Sequence, residues 1–105
     1  SNLISEIVPS ENLLEKAREI ALGLTKQSST ISIALTRQMM WKMLGASHPM
    51  EAHKIDSRGV YHLGQSKDAR EGVKSFLEKR PAKFVDRVSS DLPPYFPWWE
   101  EPEFK

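Results

Sequence analysis

Phe76, Lys79, Arg80 and Lys83 crowd the end of an amphipathic stretch that Pro81 interrupts. Cations placed this way can do one of two things. In the last turn of a helix they offset the negative end of its dipole, worth about 0.3 to 1 kcal/mol each, and need no ligand. Alternatively, Lys79 with Arg80 or Lys83 holds a phosphate through charge-assisted hydrogen bonds, while the Phe76 ring offers a face to a flat heterocycle. Residue types alone leave both open.

The other chemistry-bearing residues form no comparable set. His48, His53 and His62 lie 5 and 9 residues apart, so no pair shares a helical face at the spacing a helix-borne metal site uses. No serine or threonine sits in a nucleophile elbow, and the glycines are scattered singly rather than gathered into a phosphate loop. The absence of cysteine excludes disulfides, thiol nucleophiles and thiolate metal sites, and a reducing compartment is the simpler setting. No residue is assigned a catalytic or metal-ligating role.

The elements that must position the cationic knot read as helices. Residues 3–8 are rich in Ile, Leu and Val and end at Pro9, which makes them a strand candidate, but no second strand-like run exists to pair with them. From Ser10, a natural N-cap, Leu13, Leu14, Ala17, Ile20, Ala21 and Leu24 recur at helical period until the polar run 25–28. Ser29 or Thr30 caps a second helix with two apolar stripes, Ile31, Ala34, Leu35 and Met39 on one side, Ile33, Met40, Trp41 and Leu44 on the other. Two stripes mean a helix covered on both sides, so Ile33, Met40, Trp41 and Leu44 are candidate interface residues. Gly45 ends this helix. Pro49 opens a third over 50–63, whose period is ragged and whose Gly59 favours close packing. Gly64 stops it, Ser66 starts a fourth in which Ala69, Gly72, Val73, Phe76 and Leu77 share a face, and Pro81 stops the fourth.

Beyond Phe84 the character changes. Pro93, Pro94, Pro97 and Pro102 interrupt the aromatic run Tyr95, Phe96, Trp98 and Trp99, which predicts an extended arm docked on a surface. The expected fold is therefore all-α: a small bundle of about four helices, preceded by a strand-like segment and followed by an extended Pro/aromatic tail. With 105 residues, 39% of them apolar and 28% charged, the chain has enough for one modest core. A net charge of +1 gives no footprint for nucleic acid or anionic lipid, and no apolar run approaches the roughly 20 residues of a membrane span. A cytoplasmic protein with neither nucleic-acid nor membrane partners is expected. Ser1-Asn2 looks like the scar of a removed tag, which divides the chain into 1–2 (scar), 3–84 (helical domain) and 85–105 (tail).

One stretch is recognisable as a whole. SKDAREGVKSFLEKRPAKF at 66–84 closely resembles the carboxy-terminal signature of the crotonase superfamily, the enoyl-CoA hydratases and isomerases. LISEIVP at 3–9 followed by ENLL at 11–14 is similar to the strand and turn leading out of that family's catalytic core, and STISIALTR at 29–37 is similar to a segment in which Thr30 stands where the family usually has Pro. The resemblance implies the family's helical carboxy-terminal domain, which makes trimer contacts and covers part of the acyl-CoA site. It also implies a missing amino-terminal catalytic domain as partner. That domain carries the acidic catalytic residues and the oxyanion hole, whose fixed N–H donors stabilise the thioester enolate. On this reading the 105 residues alone are inactive, and the parent hydrates an enoyl-CoA or, next, moves its double bond.

By resemblance, Phe76 and Lys79 match positions that approach the adenine and phosphates of coenzyme A. No cofactor is expected to be tightly bound; the coenzyme A belongs to the acyl-CoA substrate. Val60 aligns with a position that lines the acyl pocket in some members, although core packing is the preferred expectation for Val60 and Tyr61. A homo-oligomer is expected, trimer-based for the parent and a dimer or higher oligomer for the piece alone. The rival is a free-standing helical module binding a protein or peptide through Trp41 and the aromatic tail, and a native gene encoding only these residues would favour it. Ligand binding by the piece alone through Lys79, Arg80 and Lys83 is disfavoured, because half the coenzyme A site would be absent.

Overall fold

A computed structural model describes residues 2–104. A short 3-10 turn, Ser10–Asn12, leads into helices α1 (Leu13–Thr25), α2 (Thr30–Lys42), α3 (Pro49–Leu63) and α4 (Lys67–Leu77), and no strand forms among the described residues. The four-helix, all-α expectation holds.

Local sequence explains the helix starts unevenly. Ser66 caps α4 by accepting the Ala69 N–H at 3.0 Å, and His48 caps α3 by accepting the Met50 N–H on Nδ1 at 3.0 Å, with Pro49 in the first turn. Ser10 is not the cap of α1: it opens the 3-10 turn and the helix proper begins at Leu13. Helix α4 ends at Leu77, before Pro81 is reached, and α3 is regular despite its ragged apolar period. Gly59 earns its place there, since a Cβ would sit 3.3 Å from the Tyr95 hydroxyl oxygen.

The core is small and centred on α2 packed against α3. Ile31 (1% exposed) and Leu35 come from α2 and Ile55 from α3. Helix α4 contributes polar groups instead. Asp68 is 3% exposed, and its carboxylate accepts from the Ser29 hydroxyl at 2.5 Å, the Val85 N–H at 2.7 Å and the Asp86 N–H at 3.1 Å. Asp86 answers by accepting the Asp68 N–H at 3.0 Å, and its carbonyl accepts the Thr30 hydroxyl at 2.9 Å. One side chain thus ties together the start of α2, the start of α4 and the chain beyond Phe84. Ser29 therefore spends its hydroxyl on Asp68 rather than on capping α2.

The tail docks on its own helices. Tyr95 lies against α3 near His62, with ring centroids 5.4 Å apart, and Trp98 and Trp99 meet edge-on at 4.8 Å. Lys42, at the end of α2, places Nζ 4.6 Å above the Trp99 ring and 3.0 Å from Glu101, whose carboxylate also accepts the Trp99 indole N–H at 2.5 Å. The Trp99 N–H and the Lys42 ammonium hold the Glu101 carboxyl below its usual range.

Two expectations are corrected. Residues 3–8 form no strand: among the described residues nothing offers their backbone a ladder, Leu3 and Ile7 stay exposed, and the Glu6 carboxylate, 3.2 Å from Lys16 Nζ, ties the segment to α1. Val60 and Tyr61 are not packed in the core but point outward from α3. The apolar face of α4 also turns outward, because Asp68 and Ser75 occupy the inner face and leave Val73, Phe76 and Leu77 exposed.

The chain is open for its length. Its radius of gyration is 17.1 Å, against about 13 Å for a compact domain of this size. Helix α1 buries none of its residues.

The Asp68 hub yields a direct test. Asp68→Ala leaves the Ser29 hydroxyl and two backbone N–H groups without their acceptor and should lower unfolding free energy by about 3 kcal/mol. Ser29→Ala removes one neutral donor and should cost about 1 kcal/mol. Urea midpoints at constant slope measure both.

Candidate functional site

The cationic knot resolves into groups with different duties. Arg80 is committed to neighbouring acceptors. Its Nη1 and Nη2 donate to the two oxygens of Glu71 at 2.6 and 3.1 Å, its Nε donates to Glu78 at 2.6 Å, and Nη1 also donates to the Pro81 carbonyl at 3.1 Å. Glu71 also accepts the Lys83 N–H at 2.9 Å. Arg80 is therefore a weaker candidate for a phosphate than Lys79, because its charge is already matched by two carboxylates. The fork, followed by the Lys83 N–H, holds the Glu71 carboxyl down at about 2, and Glu71 and Glu78 raise Arg80 above its already high value.

Lys79 differs from its neighbours. Its ammonium makes no hydrogen bond or ion pair among the described residues, and its φ is 52°, the one positive φ among the described non-glycine residues. Helix α4 closes here in a Schellman turn: the Arg80 N–H donates to the Ser75 carbonyl at 3.0 Å and the Lys79 N–H to the Phe76 carbonyl at 3.2 Å. The residue at this turn is ordinarily glycine, and a side chain in the left-handed region costs roughly 1 kcal/mol. The chain carries a lysine in that place. Its charge lies just past the negative end of α4, so the dipole role and an anion-binding role are compatible here.

Phe76 stands next to this turn, 82% exposed. An exposed phenyl ring and an ammonium with no ion pair among the described residues thus lie at the C-terminal end of α4. Phe76 and Lys79 belong to the same turn, joined by the Lys79 N–H to the Phe76 carbonyl at 3.2 Å, and Lys83 is exposed on the same loop.

The remaining candidates lie on α2 and, for Leu44, in the turn just past it. Ile33, Met40, Trp41 and Leu44 line a trough of about 730 Å³ between α1 and α2, with Ala21 and Leu24 on its other wall. Trp41 is 66% and Leu44 84% exposed. The histidines stay apart from both places, and no group of acidic or histidine side chains among the described residues could hold a metal ion. Sequence reasoning missed Glu71 altogether. Its signal was weak, because the nine-residue separation from Arg80 matches no helical spacing and closes only when the chain reverses at Lys79.

The sequence profile of the enoyl-CoA hydratase/isomerase family matches residues 2–87. The chain belongs to that family. Enoyl-CoA hydratase ACTT3 of Alternaria alternata is 40% identical over 87 residues, covering 82% of this chain and 29% of that protein. Enoyl-CoA hydratase AKT3-2 of the same organism is 39% identical with the same coverage. Enoyl-CoA hydratase domain-containing protein 3, mitochondrial, of Xenopus laevis is 33% identical over 78 residues, covering 74% of this chain and 26% of that protein. The chain spans less than a third of the length of these relatives.

Two measurements follow from the α4 terminus. Lys79→Gly relieves the left-handed side chain and should raise stability by about 0.5 to 1 kcal/mol, visible as a higher urea midpoint. The Glu71 carboxyl is depressed in the folded state, so its stabilisation is present above the ordinary value of 4.5 and is lost as pH falls through about 2. In Glu71→Gln that acid-dependent component should vanish, flattening the fall in melting temperature between those two values.

Proposed function

We propose that this chain serves as the carboxy-terminal helical domain of an enoyl-CoA hydratase/isomerase-family enzyme, covering bound acyl-CoA and joining the subunits of a trimer-based homo-oligomer. The observation that carries the reading is the apolar area left uncovered. Helix α1 has no buried residue, and Met40 and Trp41 of α2 and Leu44 just past it face solvent. Such faces belong against a partner surface. The catalytic domain and neighbouring subunits of a family enzyme are surfaces of the right kind, and cytoplasmic assembly suits a chain without cysteine.

At the end of α4, Lys79 meets the phosphates of coenzyme A and Phe76 its adenine, with the coenzyme arriving as part of the substrate. The parent hydrates an enoyl-CoA, the activity in the names of the Alternaria alternata relatives. Acid–base chemistry and enolate stabilisation are left to the catalytic domain; this domain supplies binding and enclosure. The rival, a free-standing peptide-binding module, loses the tail part of its surface because the tail rings pack on α3, on one another and under Lys42, and keeps Trp41, which is exposed.

Light scattering after size exclusion, across a concentration series, tests the association. The chain should form an oligomer at micromolar concentration, and Trp41→Glu with Leu44→Glu should shift it to monomer. A folded wild-type monomer throughout would overturn the uncovered-face reading. In the complete enzyme, Lys79→Ala should weaken coenzyme A binding about tenfold with little change in turnover of bound substrate. Unchanged affinity in a calorimetric titration would remove Lys79 from the site.

A further inference from the structure

We infer that Glu71 is the positioning residue for Lys79: it clamps the 80–83 loop onto α4 and so holds the Lys79 backbone left-handed, with the ammonium free for an anionic ligand. The inference deepens the proposed coenzyme A contact and rests on it.

A side chain in the left-handed region persists only where its surroundings over-determine it. At Lys79 two devices do so. The Schellman hydrogen bonds from Lys79 and Arg80 close the helix from within. Glu71 then grips the chain after the turn, through the Arg80 guanidinium at 2.6 and 3.1 Å and the Lys83 N–H at 2.9 Å. Residue 79 lies between the helix that carries Glu71 and the loop that Glu71 holds. Arg80 additionally bridges to Glu78, the residue before Lys79. The adjacent cation is thereby neutralised on both sides, and the ammonium of Lys79 is left without a competing carboxylate. The Glu71 carboxyl remains charged at any pH well above 2, so the clamp does not titrate near neutrality.

The arrangement has a consequence that a purely structural ion pair lacks. Without Glu71, the loop is free to leave the left-handed turn, and the ammonium leaves its place with it. The loss of ligand affinity then depends on a lysine being present at 79. A clamp that served only folding would change affinity equally whatever residue stood there.

The experiment is a double-mutant cycle in the complete enzyme, read by calorimetric titration of coenzyme A and by melting temperature. Glu71→Gln should weaken binding about five- to tenfold with Lys79 present, and should change it less than twofold in a Lys79→Gly background. The Lys79→Gly background is the more stable one, so the double variant stays folded. If Glu71→Gln alone fails to fold, Arg80→Lys, which keeps the charge but loses the fork, replaces it in the same cycle. An equal loss in both backgrounds would overturn the positioning role while leaving the ligand contact intact. If Lys79→Gly by itself leaves affinity unchanged, the ligand contact fails, and the positioning inference with it.

Discussion

The fold depends on one buried carboxylate. Asp68 collects a hydroxyl from the start of α2 and two N–H groups from residues 85 and 86, and Asp86 returns a bond to the first turn of α4. An unpaired charge in that position would be costly; with three donors aimed at it, it becomes the point to which three separate segments are tied. The apolar core of Ile31, Leu35 and Ile55 is too small to fix the path of the chain after α4 by itself. A polar hub sets direction where a few methyl groups set only proximity. Through it the chain that leaves the loop carrying Lys79 is tied back to the start of α4.

Asp68 also shows where sequence reading stops. The helices were legible because their signals are local: the period of α2, Pro49 at the head of α3, Ser66 at the head of α4. Asp68 reads locally as an acid in a first helical turn, favourable to the dipole and nothing more. Its burial depends on backbone 17 and 18 residues away, which no spacing rule encodes. Arg80 misled for the same reason. Counted along the sequence it is one more cation, whereas in space it is spent on Glu71. The 3–8 segment failed in the opposite sense, having strand-forming residues but no partner, and propensity without a ladder does not make a strand. At the site, Phe76 and Lys79 were legible by type, while the left-handed turn that sets Lys79 apart was not, since glycine is the usual marker of such a turn and is absent there.

Two kinds of surface divide the molecule. The tail covers its own ground: Tyr95 closes over Gly59, and Lys42 and Glu101 bracket Trp99. The trough between α1 and α2 and the outer face of α4 remain uncovered, although they carry larger apolar side chains than the core does. The tail aromatics Tyr95, Trp98 and Trp99 are used internally, whereas Trp41 and Phe76 on the helices stay exposed. The chain belongs to the enoyl-CoA hydratase/isomerase family and matches under a third of the length of those relatives.

Helix α1 carries this furthest. It has 13 residues and buries none of them, while an isolated helix of fewer than about 12 to 15 residues is marginal in water. Its backbone hydrogen bonds therefore have almost no cooperative link to the Asp68 hub, and its amides should exchange with solvent near the rate set by helix fraying, while those of α2 are held by the core. A surface that covered Leu14, Ala21 and Leu24 would add to the free energy of that helix. Folding of this element and docking of such a surface would then be a single equilibrium, governed by the concentration of that surface as much as by the sequence.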